Sequence, residues 1–222
     1  MLHTQSSILT RMEKTWVFVL SRWFAMTIFK LYFRIEFEGA QHVPLNGRVI
    51  LAPNHVSFLD PIWVSTAVKR PMRYMTWDKM TRLPLLGTVM KAYGAFPVNL
   101  DKSDRQALKF SLQHLRGDGG LVIFPEGART RTGETLAFKA GVIKLALDTQ
   151  SPVVPVTIVG GYQAYSPHHL FPRPYKLKII YHEPLHLAAP QEATQLKGFM
   201  QAEAEHLQKI VDGALPNRAL TC

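Results

Sequence analysis

Val49-Ile50-Leu51-Ala52-Pro53-Asn54-His55-Val56-Ser57-Phe58-Leu59-Asp60-Pro61 is the stretch whose reading decides the fold. Four apolar residues ended by Pro53 read as a short buried strand, and Ser57 or Asp60-Pro61 reads as the start of the next helix. A strand that gives way at once to a helix is the building unit of an α/β sheet. Inside one regular helix, His55 and Asp60 would stand roughly 140° apart. A strand-to-helix turn removes that obstacle, because the backbone is free to fold Asp60 back toward the imidazole. Ser57 with Asp60 three residues on has the form of a capping box, which puts Asp60 in the first helical turn. Pro61 is tolerated there, since its missing N–H would have little to bond to. A histidine held by a carboxylate is the basic unit of a general base. The same pair also suits a buried histidine satisfied by a cap residue, and by itself it leaves both readings open.

Working outward, strands and helices alternate. Residues 33–39 alternate apolar and polar, as a half-buried strand ended by glycine does. A helix is expected to about Val68, a strand over 72–77, a helix over 83–93 and an extended piece over 94–98. Ser103 or Asp104 caps a helix to about Arg116 closed by Gly117. Leu121 to Phe124 reads as a central strand. A helix over 138–149, a buried strand over 153–159, a strand over 175–181 and a polar amphipathic helix over 191–212 follow. The expected fold is α/β, a mixed, largely parallel sheet flanked by helices. The segment 166–174, with His168-His169, is a surface excursion without the ligand spacing of a metal site.

With 222 residues and nearly half of them apolar, the chain buries a sizeable core and is not disordered. A formal charge of +10 asks for an acidic partner: nucleic acid, anionic lipid or a phosphorylated substrate. The single cysteine, Cys222, excludes a disulfide framework and a thiolate metal cluster and fits a reducing cytosolic side. The basic residues are spread over the chain without a nucleic-acid-binding motif.

From Trp16 to Phe33 the chain is rich in aromatics but broken by Arg22 and Lys30. It lacks the unbroken apolar run and cleavage site of a signal peptide. As a spanning helix it would carry Arg22 near mid-membrane at a cost of at least ~2.5 kcal/mol. Arg11, Lys14 and Arg22 fall within a sector of roughly 80° on a helical projection, with Trp16, Leu20, Trp23 and Leu31 on other faces. That pattern suits a helix lying among lipid headgroups, with a core-packing helix as the lesser alternative. The expected organisation is an interfacial helical segment over 1–35 and an α/β domain over 36–222.

A second constellation, Phe124-Pro125-Glu126-Gly127-Ala128-Arg129-Thr130, leaves the strand at 121–124 directly. Ligands bind at the carboxyl ends of strands in open α/β sheets, and His55 follows its own strand the same way. Gly127 permits close approach to backbone, and Arg129 offers a forked donor for phosphate, with Arg131 near it. Glu126 is placed to orient that arginine or a substrate hydroxyl. Read alone, the loop also fits a turn with a surface ion pair.

Together, NHVSFLD and FPEGART resemble the lysophosphatidic acid acyltransferases, the PlsC-type glycerolipid acyltransferases with a histidine and aspartate four residues apart. Val153 to Ile158 and Phe138-Lys139-Ala140-Gly141 resemble further blocks of that family, so the likeness runs from about Leu45 to Gly160. The resemblance implies His55 as general base on an acceptor hydroxyl and Asp60 as its orienting carboxylate. Glu126 and Arg129 would help bind the acceptor's phosphate, and Gly127 and Arg131 join them as substrate-binding candidates from the residue reading above. The donor would be acyl-CoA or an acyl-carrier protein, and the product phosphatidic acid for phospholipid synthesis. No cofactor or metal is required, and no cysteine or serine nucleophile motif is present. The enzyme would work peripherally at the cytoplasmic face of an anionic membrane. Two departures stand out. Ala128 replaces a common threonine, and Leu100 replaces an arginine that contacts phosphate, leaving Lys102 or Arg105 as substitutes. Leu100 keeps other acceptors open, such as lyso-ornithine lipid. It also keeps open a non-catalytic basic protein that binds lipid or nucleic acid.

Overall fold

The computed structural model describes residues 23, 26–77, 94–98 and 105–216. The expected helix over 83–93 and the basic sector of Arg11, Lys14 and Arg22 lie outside these residues, as do Leu100 and Lys102.

Seven strands form one sheet. They are β1 (Glu36–Glu38), β2 (Val49–Pro53), β3 (Met72–Trp77), β4 (Ala95–Val98), β5 (Gly120–Val122), β6 (Val153–Val159) and β7 (Lys178–Tyr181), in the order β1-β7-β6-β2-β5-β3-β4. All neighbours are parallel except β6 and β7. The helices are α1 (Asp60–Thr66), α2 (Arg105–Arg116), α3 (Gly141–Thr149), α4 (Gly161–Tyr165) and α5 (Leu196–Gly213). The mixed, mostly parallel α/β sheet read from the sequence is therefore the observed one.

Period-two alternation divides the sheet into two cores. Val49 and Leu51 of β2, with Val154, Val156 and Ile158 of β6, pack on one face against Trp63 and Val64 of α1. Ile50, Ala52 and Val153 pack on the other against Leu115, Ile143, Ala146, Leu207 and Val211 from α2, α3 and α5. A helical stretch over 26–32 leads into the first core, where the Phe33 ring meets Trp63 edge-on at 5.2 Å. Phe33 and Ile35 are buried there, so the boundary drawn after residue 35 runs through shared packing.

Three local features of the chain have physical causes, and two of them differ from the sequence reading. Asp118, not Gly117, takes the left-handed conformation after α2, at φ 60°, and an aspartate tolerates it better than most residues do. Pro155 sits inside β6 without an N–H to give. There the antiparallel pairing changes register between Val153–Leu185 and Val156–Tyr181, leaving a bulge that absorbs the missing donor. Finally, Ser57 is not the helix cap. Leu59 holds that place, and the Ser57 hydroxyl accepts the Leu59 N–H at 3.2 Å.

Among the described residues, no helix is long and apolar enough to cross a membrane.

Candidate active site

The site lies where β2, β5 and β6 end. β2 is flanked by β5 and β6, all three parallel, so their carboxyl ends open at one edge. Each strand feeds one segment into it: Asn54–Asp60 after β2, Phe124–Thr130 after β5, and α4 after β6.

Asn54 fastens the first segment. Its amide donates to the Ile158 carbonyl at 3.2 Å and accepts the Ile158 N–H at 2.7 Å, tying the end of β2 to β6. The chain then turns so that one oxygen of Asp60, Oδ2, accepts three hydrogen bonds. Two come from the backbone N–H groups of Val56 and Ser57, at 2.7 and 2.8 Å, and the third joins His55 Nδ1 at 2.8 Å. The carboxylate reaches back over the turn from the first position of α1, and this replaces the capping box read from the sequence. Asp60 is fully buried, and the His55 side chain keeps 16% of its surface open. Burial pushes the Asp60 carboxyl up, against the pull of His55 and the two amides. With two N–H groups already on Oδ2, the proton shared with His55 belongs on Nδ1. Nε2 is then left as the basic nitrogen. The ring lies flat on Phe124, centroids 3.9 Å apart, which fixes the plane in which that lone pair points.

The second segment is locked to the first. Glu126 is buried, and each of its oxygens takes a backbone N–H, that of His55 at 2.6 Å and that of Leu136 at 2.7 Å. The Thr130 N–H donates to the His55 carbonyl at 2.9 Å. Glu126 therefore braces the backbone of His55. The expectation that it orients Arg129 does not match this geometry, because its two oxygens face the backbone amides of His55 and Leu136 and Arg129 lies over Phe58. Arg129 is held instead by Phe58, its guanidinium 3.7 Å from the ring centroid, within cation–π range.

Burial pushes the Glu126 carboxyl from the ordinary 4.5 up to about 7, although the Leu136 and His55 amides pull the other way. Between those two values the folded chain holds a proton there that the unfolded chain has released. Stability therefore falls as pH rises through this window, by up to about 1.4 kcal/mol per pH unit. Urea unfolding at successive pH values is expected to show this slope for the wild type and to lose it in Glu126→Gln. The variant should also be less stable throughout, because its amide turns a donor toward a backbone N–H.

Gly127 has φ 73°, and a Cβ there would lie 2.5 Å from Lys139 Nζ. That lysine is a further cation at the loop. The sequence offered it only as part of Phe138-Lys139-Ala140-Gly141, without a role. Phe124 and Phe58, the ring platforms under His55 and Arg129, were also missed as site residues, since apolar residues in a motif carry no charge to mark them. Arg131 is exposed, and its carbonyl accepts the Tyr162 hydroxyl at 2.6 Å and His168 Nε2–H at 3.0 Å. Arg105 is the first residue of α2, a helix that packs on β4 and β5. The turn after β2 and the loop after β5 bring His55, Asp60, Glu126, Gly127 and Arg129 to one edge of the sheet. No group of three or more metal-ligating side chains that could hold an ion occurs among the described residues.

The carboxyl edge of this open α/β sheet thus carries a carboxylate-held histidine and, on the neighbouring loop, an arginine seated on Phe58, groups that can move a proton and bind an anion. A family model described as Acyltransferase matches residues 34–159, more than half of the chain, and the chain belongs to that family. It is 26% identical over 179 residues to a chloroplastic 1-acyl-sn-glycerol-3-phosphate acyltransferase of Arabidopsis thaliana, covering 76% of this chain and 48% of that one. It is 31% identical over 127 residues to a 1-acyl-sn-glycerol-3-phosphate acyltransferase of Borreliella burgdorferi, covering 56% of this chain and 51% of that one. The chain thus spans about half the length of these relatives. Its fold is that of the crystal structure of the 1-acyl-sn-glycerophosphate acyltransferase PlsC of Thermotoga maritima. The TM-score is 0.64 at 21% identity, over 91% of this chain and 88% of that one.

Proposed function

We propose that this protein transfers a fatty acyl group from an acyl thioester, acyl-CoA or acyl-carrier protein, to the free hydroxyl of lysophosphatidic acid. His55 Nε2 takes the hydroxyl proton. The oxygen attacks the thioester carbonyl, and the tetrahedral intermediate collapses with loss of the thiol, which receives the proton back from the imidazolium. Asp60 is the counter-charge for that imidazolium and keeps the ring in the required tautomer. Arg129, with Gly127 and Arg131 on the same loop, binds the acceptor's phosphate, and Lys139 adds charge beside Gly127. Glu126 acts through the position of His55. No metal or cofactor enters the reaction. The protein works at an anionic membrane surface on the cytoplasmic face, held there by its N-terminal segment.

The observation that carries this reading is the hydrogen bond of His55 Nδ1 with a buried Asp60, made by a side chain that is itself partly open, on a turn whose Phe58 ring holds Arg129. A structural histidine would not need three bonds on one carboxylate oxygen and a second carboxylate bracing its own amide. Leu100, at the family's arginine position, favours one second reading, the same chemistry on a lyso-lipid with another headgroup. Purified protein given a labelled acyl donor and a panel of lyso-lipids separates the two. Lysophosphatidic acid is expected to be the preferred acceptor, and turnover only on acceptors without phosphate would overturn that assignment.

A further inference from the structure

The excursion over 166–175 plays no part in the chemistry above. At its tip Leu170 and Phe171 are 88% and 78% exposed. It is nevertheless a built loop. Arg173 N–H donates to the Ala164 carbonyl at 2.7 Å, His169 N–H to Ser166 at 3.0 Å and Tyr175 N–H to Arg173 at 2.8 Å. Pro167, Pro172 and Pro174 restrict the backbone between these bonds. The Tyr32 hydroxyl donates to the Pro172 carbonyl at 2.8 Å, joining the loop to the helical stretch 26–32. That part of the chain also leaves apolar side chains open, Trp23 at 69% and Leu31 at 78%.

The charge around this junction has one sign. Neither Trp23 to Ile35 nor Gly160 to His182 contains an aspartate or glutamate. Lys30, Arg34 and Arg173 are exposed there, and the next carboxylate along the chain, Glu36, is held by Lys176 at 2.7 Å. Open leucine and aromatic tips ringed by cations match the boundary between acyl chains and anionic headgroups.

We propose that the 166–175 loop is a membrane-docking element, which inserts Leu170 and Phe171 into an anionic bilayer alongside the N-terminal segment. Its position matters for the site. The loop follows α4, whose Tyr165 ring packs on Phe58 at 5.5 Å, and Phe58 carries Arg129. His168 reaches back to the Arg131 carbonyl at 3.0 Å. Docking here sets the lipid surface against the loops that hold the cations, so that a lipid acceptor reaches His55 without crossing water. Only that last step rests on the proposed function; docking itself is read without turnover.

The test uses the full chain and vesicles of phosphatidylcholine, with and without phosphatidylglycerol. Each apolar side chain of this size removed from water changes partition by roughly tenfold or more. Leu170→Ser with Phe171→Ser is therefore expected to weaken sedimentation with the anionic vesicles at least tenfold. Leu45→Ser, at another exposed leucine, on the loop before β2, should leave it unchanged. Both positions are solvent-exposed, so the fold is not at stake. As a second measurement, Phe171→Cys in a Cys222→Ser background, labelled with an environment-sensitive fluorophore, should brighten and shift to the blue on anionic vesicles. Unchanged sedimentation of the double variant, or a fluorophore that stays in water, would overturn the proposal. So would a loss of self-association in place of vesicle binding, which would assign the patch to a second copy of the chain.

Discussion

His55→Ala is expected to lower acyl transfer by about 10²–10⁴, the usual contribution of a positioned general base, with the fold and vesicle binding intact. The residual rate is what binding and orientation of the two substrates still supply. The fold should survive because the side chain is partly open at the sheet edge and its backbone bonds, to Glu126 and Thr130, do not depend on the imidazole. Steady-state kinetics with a labelled donor, alongside circular dichroism and the vesicle assay, read the three quantities separately. Full activity in the variant would remove His55 from the mechanism.

Asp60 is expected to separate structure from chemistry through two substitutions. Asp60→Ala leaves two buried amides, of Val56 and Ser57, and His55 Nδ1 without their common acceptor. Each unsatisfied group is worth about 1–3 kcal/mol, so a loss of about 3 kcal/mol or more is expected by urea unfolding. Asp60→Asn keeps an oxygen for those donors but removes the charge facing the imidazolium. Its stability should stay within about 2 kcal/mol of the wild type, while kcat falls at least about a hundredfold. An Asp60→Asn protein with unchanged kcat would make the carboxylate a purely structural cap.

The strand-to-helix alternation was legible because a buried strand in a parallel sheet is a short continuous apolar run, as Val49–Ala52 and Val153–Val159 are. The pairing of charge-bearing motifs was legible because His, Asp, Glu and Arg announce themselves by type. Glu126 shows where such reading fails. A glutamate directly before a glycine and three residues before an arginine reads as that arginine's partner, yet its oxygens accept the amides of His55 and Leu136. Backbone donors are the same at every residue, so no sequence pattern marks the one that a carboxylate will choose. Phe58 and Phe124 failed for the complementary reason, since nothing local distinguishes a ring that packs in the core from one that supports a charged side chain.

What the sequence by itself determined is the class of fold and the two loops, with their charged groups, to which the proposed chemistry is assigned. These follow from periodicity and from residue chemistry, which are local. Only the tertiary structure decided that β5 and β6 flank β2 in parallel, and so that the loops after β2 and β5 share an edge. It alone set three donors on one Asp60 oxygen, the His55 ring on Phe124 and Arg129 on Phe58. Strand order and side-chain contact depend on which distant surfaces bury each other, and that is a property of the whole packed chain.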